Sequence, residues 1–180
     1  MENAQISRLF FVFDVESVGF YGDAYAVGFC VVDEGGQEQG YGRYACNPAS
    51  AAGDMAGHKW VAENATFPAT VNCRTIQEVR DHFISAYNGW RSRGVIFAAD
   101  CPFPVEARFL LECFRDFPEQ VALPYPLVDV ASVVLAAGGD PIGTFPRLSE
   151  GELPLHDPLA DARQSARVLV ESLAKCRGGK

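Results

Sequence analysis

The sequence predicts one α/β domain: a mixed central sheet, an antiparallel meander followed by parallel strands, with helices on both faces. Three observations predict it. The run Leu9 to Phe13 is wholly apolar and rich in aromatics, which reads as a strand buried on both faces at the centre of a sheet. Two more strand patterns follow directly, joined by short turns, as in a meander. Beyond residue 75 strand and helix patterns alternate, the signature of parallel strands with helical crossovers.

The bulk composition bounds the class. A chain of 180 residues that is 48% hydrophobic and 12% aromatic buries a sizeable core and is not disordered. The net charge of −8 excludes a protein that grips long duplex through clustered Lys and Arg. It is compatible with a metal site, where bound ions reverse the local sign. The six cysteines form no C-x-x-C pair, which argues against a zinc knuckle, and buried thiols in a reducing compartment are expected. Asp14 interrupts the first apolar run, leaving it too short for a signal-peptide core or a membrane span, and a cytoplasmic protein is expected. No repeat, linker or low-complexity segment divides the chain. One domain over residues 1–176 with a frayed tail at 177–180 is expected.

The elements follow in order. The first strand ends in Asp14-Val15-Glu16-Ser17. Gly19 to Gly22 form a turn with Phe20 and Tyr21 at its tip. Ala24 to Val32 is the second strand, and Asp33-Glu34-Gly35-Gly36 the hairpin turn after it. Gly40 to Cys46 is the third strand. From Ala49 to Asn72 the signals are mixed, a loose helix broken by Pro68 and Asn72, with His58, Lys59 and Trp60 expected as surface and lid residues. Thr75-Ile76-Gln77-Glu78 is a capping box, and Ile76, Val79, Phe83, Tyr87 and Trp90 repeat at helical spacing to about Arg91. Arg80, Arg91 and Arg93 are expected on a solvated face. Val95 to Ala99 is a buried strand ending in Asp100. Pro104 suits the first turn of the next helix, whose buried face is Val105, Phe109, Leu110 and Phe114. Pro126 to Asp129 is a short strand, Val130 to Ala137 a helix, and Gly143 to Leu155 an irregular surface loop. The last helix starts with Asp157 as cap and Pro158 as first residue, and runs to Lys175.

Chemistry concentrates at element ends. Strand side chains repeat with period two, so Asp14 and Glu16 share a face. Two like charges against a buried sheet are unfavourable without a positive group between them, which points to a divalent cation held by oxygen ligands. Asp100 ends another buried strand, and ligand crevices of open α/β sheets lie at the carboxyl ends of strands. With Asp157 as cap, His156 and Asp161 occupy the two positions that touch in a hydrophobic staple, which brings an imidazole and a carboxylate together.

These residues carry a family resemblance that covers nearly the whole chain. Phe13-Asp14-Val15-Glu16 with Gly19 resembles the first motif, D-x-E, of the DEDDh 3′–5′ exonucleases. His156 to Asp161 resembles their third motif, H-x4-D. Where the family places its second-motif aspartate, after Phe103, this chain has Pro104. The nearest acids are Asp100, taken here because a strand end is the more rigid platform, and Glu106 as runner-up.

The resemblance implies a ribonuclease H-like fold and two divalent ions, Mg²⁺ or Mn²⁺, on Asp14, Glu16, Asp100 and Asp161. It implies His156 as general base, a role that suits imidazole at neutral pH. The turn at Val18, Gly19, Phe20 and Tyr21 would hold the terminal nucleotide, through backbone amides at Val18 and Gly19 and stacking on the aromatics. The implied partner is single-stranded nucleic acid, RNA ahead of DNA, as short oligonucleotides cut to nucleoside 5′-monophosphates. A homodimer is implied by analogy alone. The competing readings are a DNA 3′–5′ exonuclease of proofreading or phage type, a non-catalytic nucleic-acid- or protein-binding module on the same fold, and a metal-dependent nucleotide phosphatase.

Overall fold

A computed structural model describes residues 8–65, 71–119 and 124–178. Its sheet has five strands in the order β3-β2-β1-β4-β5. Central β1 (Leu9–Ser17) pairs antiparallel with β2 (Ala24–Asp33), which pairs antiparallel with β3 (Glu38–Ala45). On the other side β4 (Ile96–Ala99) runs parallel to β1, and β5 (Leu127–Asp129) parallel to β4. The helices are α1 (Met55–Asn64), α2 (Ile76–Arg91), α3 (Val105–Asp116), α4 (Val130–Ala136) and α5 (Pro158–Gly178). Meander, parallel strands and two covered faces are the architecture expected.

The alternation along β1 builds two cores. Phe11, Phe13 and Val15 meet α2 and α3 through Val79, Phe83, Tyr87 and Phe109. Phe11 stacks on Phe29 with ring centroids 4.5 Å apart and Phe83 packs edge-on to Phe109 at 5.1 Å. Phe10 and Val12 meet α4 and α5 through Val130, Val134, Ala162, Ala166 and Leu169. Each such side chain contributes about 1.5–3 kcal/mol when fully buried. Asp14 and Glu16 continue the Phe10–Val12 row, so they fall on the α5 side of the sheet.

One glycine lets α5 reach them. Gly28 lies opposite Asp14 in the β1–β2 register. A Cβ there would come within 2.2 Å of the Leu159 nitrogen and 2.3 Å of the Pro158 carbonyl carbon. Only a residue without a side chain lets the start of α5 rest on the strand.

Several expectations are revised. The mixed segment after Ala49 holds a formed helix, α1, capped by Asp54. Arg80 is not on a solvated face; it ties α2 to α3 through Asp116 at 2.6 Å and Glu112 at 3.2 Å. The segment 143–155 is more than a surface loop: it carries a 3-10 turn, Glu150–Glu152, and Glu152 is buried with Arg167 at 2.7 Å. The last helix continues past Lys175 to Gly178, because Arg177 reaches back to Glu34 at 2.7 Å. Residues 179–180 of the expected tail, and Pro68, lie outside the described residues. Cys30, Cys46, Cys73 and Cys113 are buried thiols as expected, whereas Cys101 and Cys176 are exposed. Among the described residues no helix is long and apolar enough to cross a membrane.

Candidate functional site

The site forms where the end of β1 meets the start of α5. Pairing of β1 with β2 shifts register between Glu16 and Ser17, which closes the ladder just beyond the second acid. Across the gap Asp157 caps α5, accepting from the N–H groups of Leu159 at 2.9 Å and Ala160 at 3.2 Å. Its other oxygen is held by Arg43 of β3. His156, just before the cap, has φ +60°, a left-handed turn that a non-glycine residue seldom adopts. It places Nδ1 3.9 Å from the Glu16 Oε1. Glu16, His156 and Asp161 each offer a ligand atom within 4.8 Å of the others.

The electrostatics describe one crowded acidic centre. Burial holds the Asp14 carboxyl well above its ordinary range, and the carboxylates of Glu16, Asp161, Glu106 and Asp100 push it further, in that order. Glu16 is pushed up to about 8 by burial, then by Asp161, Glu106 and Asp157. Glu106 is pushed up to about 7 by burial and further by Asp100, against the pull of the backbone at Glu106 and Val15. Asp161 is raised by burial against the pull of Arg147 and His156. The charges acting most strongly on Asp14 are all negative. A cation among these oxygens would reverse every one of these shifts. Carboxylate oxygens are the hard donors that Mg²⁺ and Mn²⁺ take.

The structure therefore brings Asp14, Glu16, Asp161 and His156 together. It divides the two candidates for the second-motif acid. Glu106, in the first turn of α3, is buried. Asp100 is exposed at the exit of β4, where it acts on Asp14 and also groups with Cys101 and Asp129. Asp129 is itself occupied, accepting from the N–H groups of Cys101 at 3.2 Å and Ala131 at 3.1 Å.

The turn after β1 is placed as expected but bonded differently. Gly19 has φ +72°, and Phe20 and Tyr21 are exposed at the tip. Val18 is instead buried in the core. The N–H of Val18 donates to the Asp23 carbonyl and that of Gly19 to the Ser17 carbonyl, so both amides are used inside the turn and do not offer themselves to a sugar. Arg108 of α3 braces the turn through the carbonyls of Phe20 and Gly22. A hollow of about 370 Å³ opens beside Glu16, lined by Ser17, Gly19, Phe20, Trp60 and Val105. A neighbouring one of about 550 Å³ runs along the turn and α1.

Two participants carry no local sequence signal. Arg147, in the 143–155 segment, pairs with Asp161 and donates to the Glu152 carbonyl at 2.7 Å. Trp60 of α1 meets the His156 ring edge-on at 4.8 Å. Both contacts join residues far apart in sequence.

No family model matches the chain, and no curated protein matches it in sequence. Among solved structures it is similar to a moderately thermophilic Exonuclease I from Methylocaldum szegediense, at 15% identity and a TM-score of 0.58. The alignment covers 91% of this chain and 40% of that one, so the chain spans less than half the length of that Exonuclease I. The likeness is one of fold: the ribonuclease H-like α/β architecture expected of the chain is the one it has.

Proposed function

We propose that the protein is a divalent-metal-dependent 3′–5′ exonuclease that cuts single-stranded RNA or short oligonucleotides to nucleoside 5′-monophosphates. One observation carries the reading: Asp14, Glu16, Glu106 and Asp161 converge at the end of β1 with His156 beside them. That the solved structure it resembles is an exonuclease supports it.

The donor set fits two Mg²⁺ or Mn²⁺ ions. Asp14, at the centre of the cluster, would be shared between them; Glu16 and Asp161 would complete one shell. Glu106 takes the second-motif place in this proposal, with Asp100 at the rim. When bound, such ions neutralise the phosphodiester charge and favour both the attacking and the leaving oxygen.

The chain's own groups do the rest. His156 takes the proton of the attacking water, held near the acids by its turn and by Glu16. Arg147 keeps Asp161 in place from the loop side. Phe20 and Tyr21 stack on the terminal base, a contact worth roughly 1–3 kcal/mol and tolerant of sequence.

The test is a gel assay on 3′- and 5′-labelled single-stranded RNA and DNA, with Mn²⁺ or EDTA, for wild type and Asp14→Ala. Metal-dependent shortening from the 3′ end, absent in Asp14→Ala, is expected, and the faster polymer identifies the sugar. No shortening of either polymer with Mn²⁺ overturns the reading.

A further inference from the structure

Helix α1 is locked onto the turn that follows β1. The Asp54 side chain accepts from the Gly57 N–H at 2.6 Å. Gly57 itself sits so close to the turn that a Cβ on it would lie 3.0 Å from the Val18 carbonyl carbon and 3.1 Å from the Gly19 nitrogen. That clasp fixes where Trp60, about one turn further on, stands. Its indole meets the His156 imidazole with centroids 4.8 Å apart and planes at 79°, the edge-to-face arrangement that aromatic rings favour. The imidazole Nδ1 also has the Glu16 carboxylate at 3.9 Å. The His156 side chain is 38% exposed, so these two neighbours stand out among what orients it. Trp60 also lines the hollow beside Glu16 with Phe20.

We propose that Trp60 is a positioning residue for His156: it sets the imidazole's orientation and acts on turnover through it. This rests on the exonuclease reading. The experiment measures kcat and KM on a short single-stranded oligonucleotide with Mn²⁺, for Trp60→Leu and Trp60→Phe in wild-type and His156→Ala backgrounds. Trp60→Leu is expected to lower kcat about 3- to 10-fold, the worth of an edge-to-face contact, with KM within about twofold. Trp60→Phe, which keeps a ring, recovers most of that loss. In His156→Ala, itself slower by about 100-fold or more, Trp60→Leu changes kcat less than about twofold. A raised KM with unchanged kcat, or an equal loss in both backgrounds, overturns the proposal. A second readout needs no turnover. The His156 ring-proton NMR resonances, assigned by their loss in His156→Ala, are shifted by the indole ring current and move in Trp60→Leu. Resonances that stay put overturn the contact even if wild type cuts nothing, an outcome that by itself defeats only the exonuclease reading.

Discussion

At the scale of single residues, the contrast between Glu106 and Asp100 is the sharpest consequence of the structure. Both acids lie near the position where the family motif places an aspartate, and the rigidity of a strand end favoured Asp100. Glu106 is buried and its charge acts on Asp14, while Asp100 is exposed beside Asp129. Glu106→Gln is therefore expected to lower metal-dependent turnover about 100-fold or more, and Asp100→Asn less than about tenfold, the difference between a direct and an outer ligand. Initial rates at saturating metal check it, and the reverse ranking would return the role to Asp100. The raised acids also predict a pH effect. Glu16 rises from 4.5 to about 8 and Glu106 from 4.5 to about 7. Folding favours their protonated forms, so the stability they contribute is full below about pH 4.5 and is lost as pH rises through 7 and 8. In EDTA the melting temperature should fall across that window, and Mn²⁺ should flatten the fall. A metal-free melt that is level from pH 5 to 8 would contradict the crowded-acid picture.

At the scale of elements, the junction of β2 with α5 decides whether the site exists. Gly28 admits the first turn of α5 onto the sheet opposite Asp14, and Asp157 caps that turn while Arg43 holds the cap. Gly28→Ala overpacks this contact, an error that typically costs about 1–3 kcal/mol, and it lifts His156 and Asp161 away from β1. Both a lower melting temperature and a loss of metal-dependent activity are expected, and activity should fall further than stability alone explains. Normal activity in a destabilised Gly28→Ala protein would mean that α5 is not placed by this glycine. Helices α2 and α5 were legible in the sequence because a cap and a clear 3.6-residue repeat are local. Helix α1 showed only as a loose helix of uncertain bounds: it buries only Gly57 and Val61, too few positions to show a period, and its place comes from Gly57 meeting the turn.

At the scale of the whole molecule, two cores hold one sheet, and the acidic centre sits where β1, α3 and α5 meet. A cation bound only by the folded state raises stability by about 2.7 kcal/mol at a concentration one hundred times its Kd. For a domain of this size that is a rise of roughly 5–10 °C in melting temperature. Mn²⁺ should produce it in wild type and not in Asp14→Ala, and equal shifts in both would place the metal elsewhere. The amino-acid sequence by itself determined the fold class, the order of strands and helices, and the presence of Asp14, Glu16, His156 and Asp161 at element ends. Those features rest on period, caps and turns, which act over a few residues. Tertiary structure alone decided that Glu106 is buried while Asp100 is exposed, both close enough to act on Asp14, and that the Val18 and Gly19 amides are spent within their own turn. It also decided that Arg147 clasps Asp161 and that Trp60 meets His156. The contacts of Arg147 with Asp161 and of Trp60 with His156 depend on which separate segments touch, and close packing, as where Gly28 admits the start of α5 and Gly57 meets the turn after β1, sets how those segments lie.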